Sequence, residues 1–139
     1  MALIDKVLAY ITRHNCAQLL VFDHRHASEA GTQVPAGTVE ASESIEGALW
    51  RELQEESGLI RSRLSLVRKL AEYEDPVRET RQHIYHLVVA SPLPDTWTQT
   101  VSGSGDDRGF VFDYRWVSLD QGLELAGNQH AWLSLIRQS

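Results

Sequence analysis

From Ser44 to Ser57 the apolar residues recur with helical period, Ile45, Ala48, Leu49 and Leu53 standing at i, i+3, i+4 and i+8. Ser44 is placed to cap the start, and Gly58 to end the helix in the left-handed conformation. On this helix Glu55 and Glu56 fall within about 60° of Glu52, so three carboxylates converge. The apolar residues span about −40° to +100° on the same wheel, so the acids share the core-facing stripe, while Arg51, Gln54 and Gly47 lie opposite. A solvated helix would place its glutamates away from the core, where water screens them. Two like charges about 4 Å apart repel by about 4 kcal/mol at an effective dielectric near 20, so acids gathered on a half-buried face call for protonation or a cation. A hard divalent ion, Mg²⁺ or Mn²⁺, is the economical cation. Spacing alone leaves a plain alternative, because glutamate is a good helix former and exposed like-charge pairs cost only about 0.2–0.5 kcal/mol.

The frame around the acids runs Gly37, five residues, Glu43, seven residues, Arg51-Glu52-Leu53, one residue, Glu55-Glu56, one residue, Gly58-Leu59. It resembles the Nudix box at all nine fixed positions, over 23 of the 139 residues. The resemblance implies an α/β fold, a Nudix-type α/β/α sandwich around a mixed β-sheet, in which the box forms a loop, helix and loop. It also implies that Glu52, Glu55 and Glu56 ligate Mg²⁺ or Mn²⁺ and that the Ala36 carbonyl adds a ligand. Gly37 would let the loop approach the site, with Glu43 and Arg51 in support. Family members often take a further acid from outside the box, and Asp106 and Asp107 offer one, as metal ligand or base. An Asp-Gly turn would use the same residues.

Around the box, Val7 to Thr12 and Leu19 to Phe22 read as a hairpin through Arg13-His14-Asn15, and Asp23 to Val34 as a surface loop. Leu64 to Tyr73, His83 to Ala90 and Phe110 to Val117 read as strands, the first two joined by the charged stretch Glu74 to Arg81. Ser91 to Arg108 reads as a long loop. Asn128 is placed to cap a final helix that buries Trp132, Leu135 and Ile136. A chain of 139 residues is the size of one domain, here 1–139.

Among residues that could meet a substrate, Arg25, with His24 and His26, lies in the loop before the box, and Tyr73, Trp97 and Phe110 could stack a nucleobase. Core or rim packing is the commoner fate of such aromatics. Trp50, away from the acids, is placed to pack on another element or on a second copy in a homodimer. His83 and His86, three apart on a strand, point to opposite faces and cannot share one zinc ion.

Thirteen Lys and Arg against 19 Asp and Glu give a net charge of −6, which disfavours general nucleic-acid binding. The single Cys16 forms no intrachain disulfide, Asp5 and Lys6 interrupt the apolar start, and no segment is long enough to span a membrane, so a cytoplasmic setting is expected. With the resemblance, these features point to a metal-dependent pyrophosphohydrolase. Its substrate would be a nucleoside diphosphate linked to another moiety, of nucleotide sugar, dinucleoside polyphosphate or NTP type. A nucleotide-sensing domain without hydrolysis is the alternative from another class, and such domains commonly lose box glutamates that this chain keeps. An RNA 5′-end pyrophosphohydrolase would need a basic track. Pro35-Ala36-Gly37 resembles the ADP-ribose branch, but Pro76 lacks the Ser-Pro-Gly setting of that branch.

Overall fold

The central strand carries the architecture. The computed structural model describes residues 2–136; Met1 and positions 137–139, the ends of the expected 1–139 span, lie outside the described residues. Strand β1 (Ile4–Arg13) turns through His14, Asn15 and Cys16, all in the left-handed region with φ of 57°, 57° and 65°, into β2 (Gln18–His24). The expected hairpin is present, two or three residues longer at its outer ends. A strand has two edges, and β5 (Thr80–Val89) takes one edge of β1 in parallel from Ile4 opposite Thr80 to Thr12 opposite Val88. The other edge is divided. Its first half pairs with the short β3 (Ala36–Thr38), while only Thr12 and Arg13 pair with β2. The sheet therefore splits beside β1, and the split opens the cleft described below. Strands β4 (Leu64–Asp75), β6 (Thr96–Thr100) and β7 (Val111–Ser118) complete the order β4-β5-β1-β2-β7-β6.

Helix α1 (Ile45–Ser57) starts where the Ser44 hydroxyl accepts the Gly47 N–H at 3.0 Å and stops at Gly58, whose φ is 75°. Its Ala48, Leu49 and Leu53 are buried against Val7, Ala9, Leu20 and Leu87 on one face of the sheet. On the other face Leu8, Tyr10, Val21 and Ile84 pack with Leu125 and Ile136 from the C-terminal segment. Layers on both faces make the α/β/α sandwich.

Three expectations need correction. Ser91 to Arg108 is not all loop, because β6 lies within it and pairs antiparallel with β7. Pro92, Pro94 and the following glycines hide a short Thr-rich strand whose alternating residues are exposed. Glu74 to Arg81 is no open connection either. The strands run on to Asp75 and from Thr80, and the turn between them is held by the Asp75 carboxylate, which accepts the Val77 and Arg78 N–H groups at 3.0 and 3.2 Å. Finally, Asn128 does not cap a helix. It and Gly127 are left-handed, at φ of 60° and 63°, inside a kinked 3₁₀ segment Ala126–Trp132, and among the described residues there only Leu133–Ile136 is α-helical, here α2. Long-range bonds decide the path there: the Gln129 carbonyl accepts the Tyr10 hydroxyl at 2.6 Å, and its side-chain oxygen accepts the Val34 N–H at 2.8 Å. Of the three apolar residues expected to be buried, Ile136 is buried, and Trp132 and Leu135 are half-buried.

Candidate active site

The acids of α1 reach the cleft because the helix packs on β3 and β1 on one side of the split and on β6 and β7 on the other. Glu52, Glu55 and Glu56 all line a cavity of about 880 Å³, together with Ala36 and Gly37. Glu56 is only 4% exposed and accepts the Ala36 N–H at 3.2 Å. Burial pushes its carboxyl well above the ordinary 4.5; the Ala36 hydrogen bond opposes this, and the charges of Glu52 and Asp107 add to it. Glu52 is also raised, first by burial, against the pull of Arg51 and with the repulsion of Glu55 and Asp107.

Arg51 begins on the opposite side of the wheel, but its long side chain crosses to the acids. Its guanidinium donates to Glu43 at 2.6 and 2.9 Å, to the Thr38 carbonyl at 2.9 Å, to Glu52 at 2.9 Å and to Glu55 at 3.1 Å. The planar fork suits this many acceptors, and the hydrogen bond from Arg51 holds Glu43 below the usual carboxylate range. Two glycines give the acids room. A Cβ at Gly37 would collide with the Glu52 carboxyl, and one at Gly103 with the Glu55 carboxyl. Gly103, at φ of 94°, was not singled out in the sequence, although Gly103-Ser104-Gly105 directly precedes the aspartates. The Ser102 N–H donates to the Glu55 carbonyl at 3.0 Å and docks this loop on the end of α1.

Asp106 and Asp107 both line the cleft, and Asp107 is the one whose charge acts on Glu52 and Glu56. Phe110, 41% exposed, lines it too, with the His24 ring 4.6 Å from its own. Other candidates lie elsewhere. The Arg25 guanidinium is held by Asp113 at 2.7 and 3.1 Å and by Thr98 at 3.1 Å, on the β6–β7 surface. Tyr73 packs against Trp132, centroids 5.5 Å apart, and Trp97 stacks on Tyr114 at 5.0 Å while donating to the Ser57 carbonyl at 2.9 Å. Trp50 packs on the core with Arg61 over its ring at 4.9 Å. His83 bonds Asp5 at 2.8 Å and His86 bonds Thr12 at 2.8 Å, on opposite faces of β5. Sequence reading missed Lys6, Arg78 and Arg108 as cleft residues. For Lys6 a signal existed, a lysine directly before the apolar run Val7 to Ile11 that became the centre of β1.

Among the described residues no three His, Cys, Asp or Glu side chains stand in a finished metal-holding arrangement. Arg51 bridges Glu52 and Glu55 where such an arrangement would form. The donor chemistry nonetheless fits a hard divalent ion, since three carboxylates reach one cleft from one helix, beside the Ala36 backbone.

Comparison with known proteins bears on the family and the fold. The NUDIX domain model matches residues 3–136. No curated protein sequence matches at a significant level. Among solved structures, the MutT protein of Methanosarcina mazei is similar with a TM-score of 0.66 and 20% identity, over 99% of this chain and 94% of that one. The Ap4A hydrolase of C. elegans gives 0.68 and 16%, over 96% and 93%. The dihydroneopterin triphosphate pyrophosphohydrolase of E. coli gives 0.64 and 16%, over 100% of both chains. These likenesses carry the fold, and the family model, covering nearly the whole chain, shows that the protein belongs to the Nudix hydrolase family.

Proposed function

We propose that the protein is a metal-dependent pyrophosphohydrolase whose substrate is a nucleoside diphosphate linked to a further group. The observation that carries this reading is the convergence of Glu52, Glu55 and Glu56 from α1 on a cleft that also holds Asp107 and the exposed ring of Phe110. Solved neighbours include proteins described as a UDP-X diphosphatase, an Ap4A hydrolase and a dihydroneopterin triphosphate pyrophosphohydrolase.

Glu52, Glu55 and Glu56, with the Ala36 carbonyl, would hold Mg²⁺ or Mn²⁺, which when bound neutralises the anhydride and acidifies the attacking water. Arg51 keeps Glu52 and Glu55 oriented and limits their repulsion. A carboxylate among Glu52, Glu55 and the loop aspartates takes the proton as the water oxygen bonds to one phosphorus, and the bridging P–O bond breaks with its electron pair leaving on the departing phosphate. Asp107 is our choice for the loop acid, because its charge reaches Glu52 and Glu56. Phe110 and His24 offer a face for the nucleobase. Among the described residues no helix is long and apolar enough to cross a membrane, and the lone Cys16 suits a reducing, cytoplasmic setting.

The test is a substrate panel of nucleotide sugars, dinucleoside polyphosphates, coenzyme-like diphosphates and nucleoside triphosphates, assayed with Mg²⁺ for nucleotide and phosphate products. The expected outcome is turnover that stops in excess chelator. Chelator-insensitive turnover, or nucleotide binding without turnover of any panel member, overturns the reading.

A further inference from the structure

The floor of the cleft carries a charge that the hydrolytic scheme leaves unused. Alternate residues of a strand share a face, and Ile4, Lys6 and Leu8 of β1 all line the cavity. Lys6 lies opposite Thr38 on β3 and opposite Gln82 on β5, in the middle of the sheet. It is half-buried, and among the described residues its ammonium makes no hydrogen bond and no ion pair. A half-buried lysine that lines a cavity with no counter-ion in contact leaves a positive charge for an anionic ligand to meet. Glu56 feels its charge at longer range, but that carboxylate is engaged by the Ala36 N–H and turned to the acid set.

Arg78 enters the same cavity from the turn between β4 and β5. Among the described residues its guanidinium makes only long contacts, 3.4 Å to the Gly127 carbonyl and 3.5 Å to Asp75, and it is more than half exposed. The Thr80 and Gln82 side chains line the wall beside it. These cations sit on the β1–β5 side of the split, whereas Phe110 and His24 sit on the β2–β7 side, with the glutamates of α1 reaching the same space. An extended substrate with its base on the aromatic side and its cleaved anhydride at the glutamates would therefore run on toward Lys6 and Arg78.

We propose that Lys6 and Arg78 form a second anion subsite that holds a phosphate beyond the cleaved anhydride. The preferred substrates then carry three or more phosphates in a row, as nucleoside triphosphates or dinucleoside polyphosphates do, and not a diphosphate ending in a neutral sugar. This inference rests on the hydrolytic reading above for its placement of the anhydride. Two charge contacts to a phosphate in a partly desolvated cleft discriminate strongly against a substrate that leaves them unpaired.

The first arm of the test is calorimetric and needs no turnover. Inorganic tripolyphosphate and pyrophosphate are titrated into the parent protein, Lys6→Gln, Lys6→Arg and Arg78→Gln, with Mg²⁺. The expected result is that Lys6→Gln and Arg78→Gln each weaken tripolyphosphate binding by about tenfold or more and pyrophosphate binding by under threefold, and that Lys6→Arg restores most of the loss. The second arm compares kcat/KM for a nucleoside triphosphate, a dinucleoside tetraphosphate and a nucleotide sugar. Both polyphosphates should lose about tenfold relative to the sugar in Lys6→Gln; a larger loss for one of the two assigns the subsite to that substrate. Equal tripolyphosphate affinity in parent and variants, or equal losses on all three substrates, overturns the subsite. A parent that turns over only nucleotide sugars also overturns it, while leaving the hydrolase reading intact. A parent that hydrolyses nothing yet binds tripolyphosphate through Lys6 sustains the subsite and defeats the hydrolase reading.

Discussion

The two walls of the cleft differ in how their charges are settled. On the α1 wall the acids have partners before any ligand arrives: Glu43, Glu52 and Glu55 share Arg51, and Glu56 takes the Ala36 N–H. On the walls that face it, Lys6, Asp106, Asp107 and Arg108 make no side-chain ion pair among the described residues. The first arrangement is held in place by Arg51 and the Ala36 N–H, which suits groups that must be positioned when charge develops. The second is left open for a ligand to complete, which suits selection among substrates.

The largest expected effect tests the settled wall. Glu56→Gln keeps an oxygen to accept the Ala36 N–H but removes the charge, so kcat should fall by about a hundredfold or more. The metal-free melting temperature should hold or rise, because burial and the charges of Glu52 and Asp107 disfavour the charged carboxyl more than the single Ala36 N–H favours it. A steep fall in that temperature would make Glu56 a structural residue and erase the contrast between the walls.

Next in size is the loop. Asp107→Ala should lower kcat by about tenfold or more, and Asp106→Ala by far less, because Asp107 is the loop acid whose charge raises Glu52 and Glu56. The loop around them is exposed, and the comparison belongs at saturating substrate, where kcat reports the contribution of the acid in the loaded site. Equal effects within twofold would return the proton-accepting role to α1 itself.

Arg51→Met asks whether the settled wall also holds the fold. Removing one cation leaves Glu43, Glu52 and Glu55 facing one another, and a loss of about 2 kcal/mol, or a drop of about 6 °C in melting temperature, is expected without metal. Added Mg²⁺ should recover part of it, since a divalent ion would relieve the same repulsion. An unchanged melting temperature would show that these bonds are geometric furniture and not stabilising.

The settled wall was legible in the sequence and the open one was not, for a physical reason. Ser44, the apolar spacing, the glutamates and Gly58 all act within one helix, so their relation follows from a period of 3.6 residues. The open wall depends on β1 giving one edge to β5 and dividing the other between β3 and β2. No local pattern announces that division, so Lys6 passed as an interruption of the apolar start and Arg78 as part of a charged connection. The same limit explains Arg25 and Tyr73. Their residue types fit a substrate contact, but the register of β2 against β7 hands Arg25 to Asp113, and the return of the chain hands Tyr73 to Trp132. At the C-terminus, Asn128 looked like a cap because sequence shows its propensity and not the bonds that Tyr10 and Val34 make with Gln129.

Arg25 gives the smallest effect, and it separates position in the fold from residue type. Its hydrogen bond, followed by that of Thr98, holds the Asp113 carboxyl below the ordinary 3.8. A carboxylate whose folded value lies below its unfolded one adds stability that is fully present above the unfolded value and is lost as pH falls through the folded one. Arg25→Gln should therefore leave the melting temperature almost unchanged at pH 7, where the exposed pair is screened by water and salt. The difference between parent and variant should narrow further below about pH 4, as Asp113 takes up its proton in both. Because the guanidinium is tied to the β6–β7 surface and does not line the cleft, kcat/KM should stay within twofold of the parent on every substrate of the panel. A tenfold rise in KM would mean that Arg25 leaves Asp113 to meet the substrate, and the outer surface of β7 would then have to be counted as part of the open wall.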